Sequence, residues 1–246
     1  MESLFRYIAA PSACGYLPDR QWSLEYEYVG AMTPAEYLGR LRGGWRRFGC
    51  MMFRPACRAC RACRSLRVVV DQFRPDRSQK RAWRANEGRV ELRVGKPSAT
   101  KAKLALYDRY HTFQADHKGW PQHPARDAAS YADSFVRHPF PVEEWCYYLG
   151  DRLVGVGYVD ALPGAPGAAT REGGLSAIYF FYDPEERERS LGTYNVLSVI
   201  DQTRRRGLPF AYLGYYVEGS EGMTYKTRFT PNQLRGEDGV WREFRR

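Results

Sequence analysis

The sequence predicts an α+β fold: a Cys-rich, basic N-terminal region over residues 1–100, then a unit of helices and strands over residues 101–246. Three observations carry that reading. Most of the cysteines, and a dense run of cations with few acids between them, fall before residue 100. Short runs rich in β-branched and aromatic residues occur on both sides of that point. From about Lys101 apolar residues begin to recur at helical spacing.

In chain order, SLEYEYV (Ser23–Val29) and SLRVVVDQF (Ser65–Phe73) read as strands. PDRSQKRAWRANEG reads as a helix with Asp76 or Ser78 as N-cap and Gly88 as its stop. ATKAKLALYDRYHTFQADH places Leu104, Tyr107, Tyr110 and Phe113 on one helical face, and DAASYADSFVRH is a helix ended at His138-Pro139. Three strands follow, EEWCYYLGD, RLVGVGYVDAL and GLSAIYFFYD, with Gly150-Asp151 as the hairpin turn between the first two. Pro163–Gly174 reads as a low-complexity surface connection. SLGTYNVLSVIDQTRRRGL is a helix with Val196, Leu197 and Ile200 inward, and AYLGYYVEG is a last buried strand.

Composition narrows the class. Hydrophobic content of 43% with 15% aromatics is that of a globular protein. No run approaches the roughly 18 apolar residues that a membrane span needs. The start, MESLFRYIAAPSACGYLPD, is too polar for a leader, so a cytoplasmic, reduced monomer is expected. Lys and Arg number 38 against 28 acids, a formal charge of +10. Such an excess attracts polyanions and makes nucleic acid a candidate partner.

Cys57, Cys60 and Cys63 form a C-x2-C-x2-C string, and Cys14 stands far upstream. Three thiols so spaced cannot all pair with one another, but a fourth completes a four-sulfur shell, most plausibly for zinc. An iron–sulfur cluster would use the same sulfurs, and reduced cysteines in a tight loop would give the same string. Arg58, Arg61 and Arg64 each follow one of these thiols, and nearby guanidinium charge favours the thiolate. Cys50 and Cys146 sit in apolar runs and read as core thiols. His111, His117, His123 and His138 read as scattered loop histidines.

Arg77, Lys80, Arg81 and Arg84 fall at i, i+3, i+4 and i+7, one face of a helix. Such a face is either solvated or a contact for phosphates. The order helix, strand, strand, strand, helix, strand after residue 101 resembles the N-acetyltransferase-like (GNAT) order. ERERSLGT, with Arg189 and Gly192, partly resembles the turn by which those enzymes hold a pyrophosphate at a helix N-terminus. Tyr194 stands in place of the second glycine of that pattern, so coenzyme A is not expected.

Five stretches carry a closer resemblance: CGYLPDRQ, GWRRFGCMMFRPACRACRACRSLRV, FRPDRSQKR, YFFYDPEERERSLGT and AYLGYYVEGSEGMTYKTRF. Together they resemble the bacterial branch of the aminoacyl-tRNA–protein transferases. The resemblance implies a GNAT-like transferase domain, a charged tRNA as amino-acid donor, and acceptor proteins with acidic N-terminal residues destined for degradation. The bacterial branch implies leucine as the donated residue, with arginine the alternative. Eukaryotic members start with C-G-Y-C and carry an adjacent Cys-Cys pair, and they resemble iron–sulfur binders. Here Leu17 replaces the second cysteine and Arg61 follows Cys60.

The chemistry is consistent with a transferase. An aminoacyl ester is already activated, and an acceptor α-amine with a pKa near ~8 is about a tenth neutral at pH 7. Positioning can then supply most of the catalysis, and no residue is singled out as catalytic. Arg54, Arg67, Lys226 and Arg228 lie beside aromatic or apolar residues in the matching stretches and are the candidate acceptor-binding cations. Arg77, Lys80, Arg81, Arg84, Arg189 and Gly192 are the candidate tRNA-binding residues. Two other readings are a metal-stapled RNA-binding module without chemistry and a coenzyme A-dependent acetyltransferase.

Overall fold

The computed structural model describes residues 1–122, 124–164 and 172–244. His123 and most of the expected connection Pro163–Gly174 lie outside the described residues. The chain begins with β1 (Glu2–Ile8), a short hairpin of β2 (Ser12–Ala13) and β3 (Gln21–Trp22), and β4 (Leu24–Ala31). Helix α1 (Pro34–Arg42) follows, opened by a capping box between Thr33 and Glu36. Next come β5 (Arg46–Phe48), β6 (Met51–Pro55) and β7 (Cys63–Val69). Then α2 (Arg77–Asn86), β8 (Val90–Gly95), α3 (Lys101–Lys118) and α4 (Ala128–Phe135) precede the long strands β9 (Val142–Leu149), β10 (Arg152–Pro163) and β11 (Gly173–Tyr182). The chain closes with α5 (Leu191–Arg205), β12 (Phe210–Val217), the single turn α6 (Glu221–Thr224), β13 (Asn232–Arg235) and β14 (Trp241–Glu243).

Two main sheets result. An eight-stranded mixed sheet runs β14-β13-β7-β12-β11-β10-β9-β8, and a four-stranded sheet runs β1-β4-β6-β5. Strands β7 and β8 join the large sheet from the first hundred residues, so the sheet continues across the boundary expected at residue 100. Strand β12 is not the last, because β13 and β14 extend the sheet beyond β7. One core holds α5 against the sheet through Tyr194, Leu197, Val199 and Ile200. A second holds α3 and α4 through Leu106, Tyr107, Tyr131 and Phe135. A third lies under α1, with Tyr37, Leu41, Trp45 and Met52.

Asp76 caps α2 by accepting from Gln79 N at 2.8 Å, and Gly88 follows the helix with φ +71°. In α3 the buried face is Lys103, Leu106, Tyr107 and Tyr110, and the expected Leu104 and Phe113 are only half-buried. A charge accounts for that rotation of the helix. Lys103 Nζ is buried in an ion pair with Glu144, which also accepts from Tyr158 Oη at 3.0 Å.

The small sheet is pinned to the large one by a second buried pair. Arg47 of β5 and Asp160 of β10 are 1% and 0% exposed, and Arg47 Nε donates to Asp160 Oδ2 at 2.7 Å. Tyr37 of α1 donates to the same oxygen at 2.6 Å. Removing one partner of such a pair strands a buried charge. Asp160→Ala should therefore lower stability by about 3–5 kcal/mol in denaturant titration. A loss under about 1 kcal/mol would show that the pair does not hold the sheets together.

Candidate functional site

The large sheet parts at its centre. Strands β11 and β12 are its parallel pair, but they remain in register only from Gly174–Ser176 against Phe210–Tyr212. Beyond that point both continue, and β12 is irregular between Tyr212 and Tyr215 where it pairs with β7. Gly214 sits in that irregularity with φ +80°, a conformation L side chains rarely adopt.

Two cations occupy the gap. Arg46, from β5, donates to Ser176 Oγ at 3.0 Å and to the Ala177 carbonyl at 2.7 Å. Lys226, in the turn after α6, donates to the Tyr215 carbonyl at 2.7 Å. A Cβ built on Gly214 would lie 3.7 Å from both Lys226 Nζ and an Arg46 terminal nitrogen. Both are buried, at 6% and 9% exposure, and among the described residues neither is paired with a carboxylate. Burial, then the Arg46 charge, pulls the Lys226 ammonium down to about 7. Tyr215 stands beside them, its Oη donating to the Gly44 carbonyl at 2.7 Å.

Lys226 is thus the one expected acceptor-binding cation at the gap. Arg54 is engaged by Glu25 at 2.6 Å. Arg67 lies over Phe210 and Trp241 at 3.6 and 4.4 Å and donates to Gln233. Arg228 pairs at 3.0 Å with Asp76 and also binds Ser78. Sequence alone does not single out Arg46: in GWRRFG it is one more cation of a basic run, and only tertiary pairing distinguishes it.

The structure does bring Arg77, Lys80, Arg81 and Arg84 together, along an open groove of about 830 Å³ on α2. Arg189 reaches the end of that helix, donating to the Ala85 carbonyl at 3.4 Å and pairing with Glu186. Gly192 lies in the first turn of α5, whose N-cap Ser190 makes no side-chain cap. A Cβ there would meet nothing within 4 Å, so internal packing does not require glycine. Tyr194 packs against Trp83 and Tyr147.

Cys63 begins β7, and its thiol is pushed up to about 12 by burial and then by Cys57, Cys14 and Cys60. The expected lowering by neighbouring arginines does not occur at Cys63, whose shift comes from burial and the other three thiols, all in the raising direction. Arg61 instead donates to the Cys57 and Cys60 carbonyls at 2.6 and 3.0 Å, and Arg64 faces Glu218. The four thiols share one neighbourhood, yet among the described residues no group of three or more Cys, His, Asp or Glu is arranged to hold an ion. The donor types nonetheless suit zinc, which takes four thiolates. Cys146 is buried and pushed up to about 12 by burial and Glu144, while Cys50 is only half-buried and donates to the Arg137 carbonyl.

His111 and His117 lie on α3 and not in loops. His111 Nε2 meets Tyr179 Oη at 2.7 Å, and His117 stacks on Phe113. Burial, then the Arg47 charge, pulls His138 down to about 4.

Lys226 yields a testable consequence. Between pH 7 and its ordinary 10.5 the unfolded chain holds a proton that the folded chain lacks, so stability should rise with pH from about 7. Lys226→Met should flatten that rise between pH 7 and 9, read from denaturation midpoints. An equal rise in parent and variant would place the titration elsewhere.

The family described as "Arginine-tRNA-protein transferase, C terminus" matches residues 102–236, and its N-terminus counterpart matches residues 12–81. The chain is 36% identical over 232 residues to a protein of Helicobacter hepaticus named "Aspartate/glutamate leucyltransferase", covering 94% of this chain and 92% of that one. It is 36% identical to a Pseudomonas fluorescens protein of the same name, over 93% and 92%. Among solved structures it is similar to "The structure of L-PGS from Bacillus licheniformis", with a TM-score of 0.46, 12% identity, and 83% and 61% covered. No helix among the described residues is long and apolar enough to cross a membrane. By both the family match and the near full-length relatives, the chain belongs to the arginine-tRNA-protein transferase family.

Proposed function

We propose that this transferase moves leucine from leucyl-tRNA to the α-amine of proteins that begin with Asp or Glu, marking them for degradation in the cytoplasm. The observation that carries the acceptor preference is the pair Arg46 and Lys226, two buried cations that no carboxylate of the described chain neutralises. Buried charge without a partner is costly, and an acidic acceptor side chain would supply the missing one. The names of the relatives support leucine as the donated residue, and the family description supports arginine as the alternative.

The parted strands then serve as the transfer cleft of a GNAT-like domain. The acceptor amine attacks the ester carbonyl, the ester C–O bond breaks and an amide C–N bond forms. The proton lost by the amine balances the one gained by the leaving tRNA hydroxyl. Fixing the acidic side chain on Arg46 and Lys226 holds the neighbouring amine in place, and positioning of this kind lowers the barrier without a strong base. The face of Arg77, Lys80, Arg81 and Arg84, with Arg189 and the α5 N-terminus at Gly192, would hold tRNA phosphates. Cys14, Cys57, Cys60 and Cys63 would bind one zinc that ties the N-terminal segment to the β7 loop, as a structural staple.

Labelled leucine should pass from tRNA to Asp- and Glu-initiated peptides at least about 100-fold faster than to Ala- or Lys-initiated ones, since a neutral side chain leaves the cations unpaired. Equal labelling would contradict the acceptor assignment, and transfer from arginyl-tRNA alone would reverse the donor. Replacing Arg77, Lys80, Arg81 and Arg84 by Gln should reduce the salt slope of tRNA binding by about 0.7–0.9 per lost contact. An unchanged slope would remove α2 from the tRNA surface. Elemental analysis of the purified protein should find one zinc per chain, lost in Cys57→Ser. Neither zinc nor iron would leave the four as reduced thiols.

A further inference from the structure

One surface has no part in the cleft chemistry yet leads directly into it. The four-stranded sheet turns Glu25, Glu27, Val29 and Met52 inward and Tyr26, Tyr28 and Phe53 outward. Strand β1 adds Phe5 and Tyr7 to that outward face, 50% and 47% exposed. The rings are ordered against one another: Phe5 on Tyr28 at 5.2 Å and 18°, Tyr7 on Tyr26 at 5.3 Å and 24°, Phe5 on Tyr7 at 6.1 Å and 27°. The row continues from Tyr26 to Phe53 and from Phe53 to Tyr215, each at 6.3 Å. Tyr215 is the residue whose carbonyl holds Lys226, and Arg46 pairs with Phe53 across β5 and β6. A row of half-exposed planar rings thus runs from the outer edge of the small sheet to the two cations at the parted strands.

The charges next to the row are turned away. Arg6 and Arg54, adjacent to Phe5, Tyr7 and Phe53 in sequence, are both engaged by Glu25. An aliphatic patch of this size would invite a protein partner, but this face is aromatic: four rings lie within 27° of a stacked neighbour, Phe53 is tilted by 50° from Tyr26, and the half-exposed Phe5 and Tyr7 stand at the sheet's edge. Every nucleobase can stack on such a surface whatever its identity, with its phosphates left toward solvent. A polypeptide acceptor would draw affinity from backbone hydrogen bonds at a strand edge, which ring faces do not provide. Single-stranded ends are the parts of an RNA whose bases are free to stack on a four-stranded sheet in this way.

We infer that the outward face of Phe5, Tyr7, Tyr26, Tyr28 and Phe53 is a stacking platform for the unpaired 3′ nucleotides of the donor tRNA. It guides the aminoacyl end toward Arg46, Lys226 and Gly214. This inference rests on the proposed use of a charged tRNA, and it adds a second contact surface separate from the basic face of α2.

The test is equilibrium binding of uncharged leucine-accepting tRNA to the full-length protein, with the tRNA whole and with its unpaired 3′ nucleotides removed. Phe5→Ala and Tyr28→Ala should each weaken whole tRNA by about 5- to 100-fold, the range for loss of one stacked base. Neither variant should alter binding of the shortened tRNA or the KM for an acidic peptide. Phe5→Trp, which keeps a ring, should retain parental affinity, and unchanged melting temperatures would show that folding is intact. Unchanged binding of whole tRNA in both alanine variants would overturn the inference. So would an equal loss for shortened tRNA, or a raised peptide KM with tRNA binding intact, which would make the platform a polypeptide site. Because uncharged tRNA is the ligand, the result does not depend on whether the parent transfers leucine.

Discussion

Where two parallel strands part, their facing carbonyls lose their ladder partners, and buried carbonyls cannot stay unpaired. Here the Ala177 carbonyl is satisfied by Arg46 and the Tyr215 carbonyl by Lys226. Guanidinium offers five donors and ammonium three, so two bonds from one and a single bond from the other leave donors over. A neutral carbonyl meets a hydrogen bond but does not neutralise a charge. The opening of the sheet is therefore held by Arg46, which stays positive, and by Lys226, which burial and the Arg46 charge leave about half protonated near pH 7 and which an incoming carboxylate would charge fully. That residual charge gives the site its chemical character.

The small sheet exists, in these terms, to deliver Arg46. Strand β5 has three residues, and two of them are arginines aimed into the large sheet. Arg47 closes on Asp160 and is neutralised, which fixes the strand, while its neighbour Arg46 projects into the gap and is not. Tyr215 adds a second tie by donating to the Gly44 and Phe53 carbonyls. The Cys57–Cys63 loop leads into β7, whose first residue pairs with Val217 of β12, so that loop borders the same strands. Burial pushes the Tyr215 hydroxyl up, Arg46 opposes that, and Cys63 and Tyr16 lie close enough to add to the rise.

Long, strongly patterned segments were legible in the sequence: β9, β10 and β11 with their Gly150-Asp151 turn, α5 with its inward Val196, Leu197 and Ile200, and α2 with its cap and basic face. Weaker signals were not. Strand β1 is exposed along its length and owes its place to pairing with β4, which no local pattern announces. The apolar spacing in α3 misplaced the helix face because Lys103 is buried, and its partner Glu144 lies 41 residues away. At the site Arg67, whose sequence neighbours Leu66 and Val68 are aliphatic, lies over Phe210 of β12 and Trp241 of β14, contacts that no local pattern announces. Arg46 could not be distinguished from Arg47 by sequence, since burial, charge and adjacency are alike and only the partner differs.

The central claim is that Arg46 and Lys226 recognise the acidic side chain of the acceptor. It is tested most directly by crossing Arg46→Ala with an Asp-to-Asn change at the first residue of the peptide, and measuring kcat/KM for all four combinations. The parent should prefer Asp over Asn by at least about 30-fold, a difference of ~2 kcal/mol or more for a desolvated charge contact. In Arg46→Ala that preference should fall to a few-fold, with the Asn rate changed far less than the Asp rate. If the variant keeps the parental preference while both rates fall together, Arg46 supports the fold of the cleft and the carboxylate is read elsewhere.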